Sequence, residues 1–341
     1  MLGGACARAQ TRMIIASVTG VSLALASAAV PLGAAQAGPA FAAARSAPDE
    51  RSAAALAQAS GERVEVLAER SEFSQMFAEP TGRLTYEVAA VPQRVHRADG
   101  SWANVDLSLV KDADGTLRPQ ASPADVRFSP GGTAPLATVV KDGRSFTVTW
   151  PGAPLPTPTV SRDTATYAGV LPDVDLSVRA TPQGFAHVLT VHTAAAAADP
   201  RLKEITFDLG GDARVVRRAD GSLTAVAGDT LVASAPAPQM WDSRPGAQAG
   251  GGARRAAGGA ATHPSTAREP SDSAQVAPVT TQITSAGDLV LKPDTGMLTG
   301  ASFPLFIDPA WSTGKSRWAY ATNNNSNNSD TSKARVGKDP D

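Results

Sequence analysis

From residue 64 onward the chain is a succession of short segments in which apolar residues alternate with polar ones, and Asp-Gly pairs stand between them. No other feature constrains the fold as much. "RVEVLAE", "LTYEVAA", "WANVDLSLV", "SFTVTW" and "VDLSVRA" all follow the pattern. Successive side chains of a strand point to opposite faces, so a period of two gives strands with one face buried. The pairs are Asp99-Gly100, Asp114-Gly115, Asp142-Gly143 and Asp220-Gly221. A two-residue hairpin turn needs positive φ at its central positions, which Asp tolerates and Gly adopts freely. The pairs therefore predict antiparallel hairpins. Arg-Ala-Asp-Gly-Ser occurs at 97–101 and again at 218–222, each time between short Val-containing strands. The flanks do not match, so this is one turn used twice and not a duplicated repeat. A helix-loop-helix calcium site at "KDADGTLRPQAS" fails, because Gly115 at its sixth position puts Val110 at the first and Ala121 at the twelfth.

The first 43 residues have another texture. Arg8 and Arg12 precede "MIIASVTGVSLALASAAV", and small-residue sites follow at "AQAG" and "FAAA". Basic, apolar and Ala-rich segments in that order form a secretory signal peptide, with cleavage expected after Ala37 or Ala43. A membrane anchor is the weaker reading, since the apolar run is diluted by Ala, Ser and Gly and no basic stop-transfer cluster follows. The single cysteine, Cys6, lies within this leader. The mature chain then has no disulfide, no thiolate metal site and no cysteine nucleophile. Lys plus Arg number 31 against 32 Asp plus Glu, a balance that argues against nucleic-acid binding. No second apolar stretch is long enough to span a bilayer.

A short helix is expected within 44–62, with Pro48, Asp49 and Glu50 at its start and Gly61 at its end. An antiparallel β-sandwich region is expected over 63–243. Residues 244–274 are rich in Gly, Ala, Pro and Ser without apolar periodicity, and predict a flexible insertion that cannot offset its ordering entropy. Strands over 275–310 are expected to return to the same sandwich, because they are too few to fold alone. Residues 311–341 read as the incomplete start of a second β domain, and the chain as the front part of a longer protein. The fold class is all-β.

Candidate chemistry is sparse. His187 and His192 read as surface residues on opposite faces of a strand, with His96 at a turn and His263 in the insertion. Asp173 and Asp175 are read as facing the same way along a strand, as paired carboxylates for glycoside cleavage would, but such pairs normally flank a substrate from different elements. Turn support and solvent contact are the simpler roles. Trp102, Trp150, Trp241, Trp311 and Trp318 each sit in or beside a strand, where core or edge packing competes with sugar stacking. No nucleophile-elbow, zinc-helix, phosphate-loop or dinucleotide motif occurs. No catalytic, cofactor-binding or metal-binding residue is assigned.

Tyr167, Pro172 to Leu176, Asp199-Pro200 and "APQMWD" at 237–242 stand in an order that resembles a region of large secreted actinobacterial proteins. "FPLFIDPAWS" resembles the segment leading into an adhesin-like DNRLRE β-sandwich, and "ARVGKDPD" resembles the opening strand of one. Such proteins often continue into LamG-like domains or Rhs-type toxin regions. The resemblance implies a secreted structural or adhesive module without an active site. Its partners would be cell-wall or extracellular glycans, or other surface proteins. A carbohydrate-binding or carbohydrate-cleaving sandwich and a toxin-delivery region are the alternatives.

Overall fold

The computed structural model describes residues 10–13, 45–245, 264–313, 318–321 and 327–331. Strands dominate, and the chain divides into two compact units, Met1–Val105 and Asp106–Asp341. The division falls inside the region expected to be one sandwich from 63 to 243.

In the first unit the helix Glu50–Ser60 begins where Asp49 accepts the Ser52 backbone N–H at 2.8 Å, and ends at Gly61 with φ 69°. Ala53 and Ala57, one turn apart, carry its buried face. They meet Val64, Val66 and Ala78 in a small core, the docking that a helix of this length requires. The sheet beneath runs Gln10–Met13, Leu84–Val88, Ser74–Ala78, Val64–Val66, Ser46–Ala47. Gln10–Met13 joins its edge in parallel with Leu84–Val88. The rest of the expected leader lies outside the described residues.

The second unit is built from two antiparallel sheets. One runs Thr280–Ile283, Leu289–Lys292, Ile205–Gly211, Arg144–Thr149, Ala137–Lys141, Asp125–Phe128, Leu117–Ala121, Asp106–Lys111. The other runs Thr159–Ser161, Thr164–Leu171, Val174–Thr181, Gly184–Val191, Ala310–Ser312, Thr230–Ala235, Leu223–Ala227, Arg214–Arg217. Leu305–Asp308 also pairs with Gly184–Val191, and links it through Gln239–Trp241 to Val276–Pro278. Both sheets contribute to one continuous apolar core, the defining feature of a sandwich. Phe128 meets Phe185 at 6.2 Å, and Phe146 meets Trp311 at 4.6 Å, across that core. Strands on both sides of the insertion thus complete the same sheets.

Alternation predicts burial well in Val174–Thr181, where Val174, Leu176, Val178 and Ala180 are buried and their neighbours are not. Gly184–Val191 departs from it and is buried on both faces. One face joins the main core. On the other, Val188, Trp241 and Phe306 form a second small core against Ala267 and Ala274. Residues 264–274, expected to belong to the flexible insertion, are therefore folded onto the outside of the sheet. Ser265 Oγ donates to the Asp242 carbonyl at 2.7 Å, and Trp241 Nε1 donates to the Thr266 carbonyl at 3.0 Å. Residues 246–263 lie outside the described residues. The boundary expected at 311 also falls inside the sheet, because Trp311 is buried. Beyond it, Trp318–Ala321 and Asn327–Thr331 pair as an antiparallel ribbon.

The hairpin reading needs one correction. Asp142-Gly143 forms a two-residue turn with φ 50° and 72°, as expected. The repeated pentapeptide instead forms a longer turn. Gly100 N–H donates to the Arg97 carbonyl at 2.9 Å and Arg97 N–H to the Ser101 carbonyl at 2.8 Å, with Gly100 at φ 82°. Residues 218–222 repeat this at 3.1 and 2.8 Å, and 112–116 at 2.9 and 2.8 Å, so Asp114-Gly115 belongs to the same class. A type I turn followed by a left-handed glycine suits the right-handed twist of the strands, and Gly takes the last position because a Cβ there is strained. The Asp carboxylate stabilises the turn by accepting the N–H two residues on, at 2.9 Å for Asp99 and 3.0 Å for Asp220.

Candidate functional site

One of the resemblance motifs, at 237–242, ends in Asp242 on the outer side of the larger sheet. Its side chain is fully buried, at 0 % exposure. Burying a carboxylate is costly unless its oxygens are satisfied. Asp242 Oδ1 accepts the N–H of Gln275 at 2.8 Å and of Arg244 at 3.2 Å, while Oδ2 accepts the N–H of Ser302 at 3.2 Å. Arg244 adds an ion pair at 3.3 Å. One carboxylate therefore ties together three chain segments. Trp241 beside it stacks on Phe306 with ring centroids 5.7 Å apart. Arg268 reaches across to Asp163 at 2.5 Å. The arrangement clamps 264–275 to the sheet and offers no free nucleophile or base.

Next to the clamp lies Asp308, paired with Gln239 and followed by Pro309, where Leu305–Asp308 passes into Ala310–Ser312. Asp308 Oδ1 is buried with no hydrogen-bond partner. Burial pushes this carboxyl up to about 6, against the opposing pull of the Arg179 guanidinium. Sequence reading passed over Asp308, although the Asp-Pro dipeptide was visible.

Tyr167 is buried in the main core and donates its hydroxyl to the Ser129 carbonyl at 2.8 Å, and burial raises its ionisation well above the ordinary phenol range. His187 is not a surface residue. Its ring is 1 % exposed, stacked 5.9 Å from Phe185 and edge-on 5.0 Å from Phe207 of the opposite sheet. Neither ring nitrogen has a hydrogen-bond partner, and burial alone pulls the imidazole down to about 3. The signal was ambiguous because Gly184–Val191 is buried on both faces, so a polar residue there has no solvent side to take.

Asp173 and Asp175 are each engaged by nearby chain. Asp173 sits in the turn between Thr164–Leu171 and Val174–Thr181 at φ 55°, where it accepts the Thr193 hydroxyl at 3.2 Å. Asp175 accepts the Gly169 N–H at 2.8 Å and meets His192 Nε2 at 2.8 Å. Thr193 in turn caps the helix Ala194–Ala197. The cluster therefore pins a bulged hairpin to the chain that follows it. His96 is exposed and lies edge-on to half-buried Trp102 at 4.8 Å, and His263 is outside the described residues.

A shallow depression of ≈ 240 Å³ lies between Gly132, Trp150, Leu155 and Asp208, and Asp208 is its single ionisable lining residue. Glycoside cleavage requires a second carboxyl across the cleft. Trp150, Trp241 and Trp311 are buried, which leaves Trp102 as the partly exposed tryptophan among the residues whose side chains are described. Among the described residues no group of three or more potential ligands is arranged to hold a metal, and no helix is long and apolar enough to cross a membrane. Comparison with family models, with curated proteins and with solved structures gives no match.

Proposed function

We propose that this chain is a secreted, non-enzymatic β module, the N-terminal part of a larger extracellular or cell-surface protein in which it serves a structural or adhesive role. What carries the reading is the use to which the residues of the resemblance motif are put. Tyr167, Trp241 and Asp242 bond to neighbouring backbone, and Asp175 is shared between the Gly169 N–H and the His192 ring, so each of these polar groups is engaged in holding chain segments together. A clamp of this kind resists separation of the sheet, as a load-bearing surface module requires. The leader reading and the likeness to regions preceding DNRLRE-type sandwiches support a location outside the cell.

The test is expression with the native leader, followed by fractionation and N-terminal sequencing. The expected product lies outside the cytoplasmic membrane and begins after Ala37 or Ala43, and beads coated with it are retained by isolated cell walls. Cytoplasmic retention with Met1 intact, or beads that pass through, would overturn the reading. Carbohydrate recognition as the basis of adhesion is favoured by one observation, the half-buried Trp102 with His96 against its edge, since aromatic faces stack on sugars. A glycan titration that shifts tryptophan emission in the wild type and not in Trp102→Ala would support it.

A further inference from the structure

The sandwich guards several of its open edges. Leu109 N–H donates to the Arg162 carbonyl at 2.7 Å, which links Asp106–Lys111 to the turn after Thr159–Ser161 on one side. Val276–Pro278 ends in a proline, whose nitrogen donates no ladder bond. Arg214–Arg217 is different. It ends the larger sheet, and among the described strands it pairs with Leu223–Ala227 alone. Arg218 N–H donates to the Ser222 carbonyl, so that pair is hydrogen-bonded. Alternation along an antiparallel ladder then makes Val216–Thr224 and Arg214–Val226 hydrogen-bonded pairs as well. The N–H and C=O groups of Val215 and Arg217 therefore point away from the sheet, and among the described residues no backbone group bonds to them. What joins this edge to Thr280–Ile283 of the opposite sheet is a side chain, Arg217 Nε donating to the Thr281 hydroxyl at 3.1 Å.

Val215 is buried and Arg217 reaches inward to Thr281, so the alternate row of Arg214, Val216 and Arg218 faces outward. Val216 is 50 % exposed, the most of any large apolar side chain among the described residues. Half-buried Val226 and exposed Leu231 continue the apolar surface on the next two strands, where Val226 pairs with both Arg214 and Leu231. The acids of the two flanking turns are engaged there, Asp212 by Ser145 and Asp220 by Ser222. The outward row thus carries an arginine on either side of an apolar side chain. A second copy of this edge fits it badly. Antiparallel pairing about Val216 would set the Arg214 of each copy against the Arg218 of the other, and like charges directly opposite are destabilising. We propose that Arg214–Arg217 is a docking edge for an extended acidic segment of another protein, which adds to the sheet as a further strand. Main-chain bonds to Val215 and Arg217 supply affinity. Specificity comes from an apolar side chain over Val216 with carboxylates two residues to either side, over Arg214 and Arg218. The inference stands apart from where the module resides and from its retention by cell walls.

The experiment uses the full chain and a labelled peptide, Thr-Glu-Thr-Val-Thr-Glu-Thr, whose alternate row reads Glu, Val, Glu in either direction. Fluorescence anisotropy at low salt should show saturable binding with Kd below about 1 mM. The counterpart Thr-Lys-Thr-Val-Thr-Lys-Thr should bind at least about fivefold more weakly. Hydrogen exchange at the Val215 and Arg217 amides should slow when the acidic peptide is added. Arg214→Glu combined with Arg218→Glu should reverse the preference between the two peptides. Arg217→Pro removes one outward donor, spares the ladder to Leu223–Ala227, and should weaken the acidic peptide at least about fivefold. If Arg217→Pro does not fold, the charge reversal at the two exposed arginines still decides. No binding to the wild type, equal binding of both peptides, or protection confined to other amides would overturn the proposal. So would self-association of the free chain through these amides, which would assign the edge to a second copy.

Discussion

Replacing His187 by Leu should alter the pH dependence of stability more than stability itself. The imidazole is wedged between the two sheets, against Phe185 and Phe207, with both nitrogens unpartnered. In the folded chain it titrates at about 3, whereas an unfolded chain binds the proton near the ordinary histidine value of about 6.5. The folded value is depressed, so the unfolded state binds more protons below about pH 6.5, and stability is lost as pH falls towards 3. The loss amounts to roughly 2 kcal/mol between pH 7 and pH 5, and reaches about 4 kcal/mol by pH 3. Asp308 works in the other direction. Its folded value is raised to about 6, so its neutral form is the favoured one and its contribution is lost as pH rises through that value. Both proteins carry Asp308, and its effect cancels in the comparison. Urea unfolding of wild type and His187→Leu at several pH values isolates the histidine. The stability difference between them should shift by roughly 2 kcal/mol in the variant's favour from pH 7 to pH 5. Parallel pH profiles would refute the claim that this ring is buried uncharged.

Other outcomes follow from the core and the clamp. Asp242→Ala strips the acceptor from three backbone N–H groups and should lower stability by about 3 kcal/mol or more in urea unfolding, while Asp242→Asn should lose less. The same Ala variant should make residues 264–275 sensitive to limited proteolysis before the sheets themselves are cut. Tyr167→Phe deletes the bond to the Ser129 carbonyl and should cost about 1 kcal/mol by thermal melting, against about 3–5 for Tyr167→Ala. In Gly184→Ala the new methyl would collide with the Trp311 carbonyl and approach Ser312 Cα to 3.0 Å, so the pairing of Gly184–Val191 with Ala310–Ser312 should open. Faster amide exchange at Phe185 and Trp311 would report it.

The all-β class and much of the hairpin plan were legible in the sequence because they rest on local rules. Alternation in Val174–Thr181 fixes one buried face through the pleat, and Asp142-Gly143 has the backbone freedom its turn demands. The helix Glu50–Ser60 was announced by Asp49 and Gly61, whose capping bonds reach no further than one turn. Tertiary structure decided what depends on residues distant in sequence. His187 looks like any strand histidine until Phe207 and the strap at 264–274 close over opposite faces of its strand. Asp242 looks like an exposed acid until N–H groups from 275 and 302 meet it. The Gly- and Ser-rich stretch seemed unable to order itself, yet its last residues gain bonds to Trp241 and Asp242 that a local reading does not include. Period and turn chemistry specify strands, whereas burial on the second face, and the partner of each buried charge, are set by which strands meet.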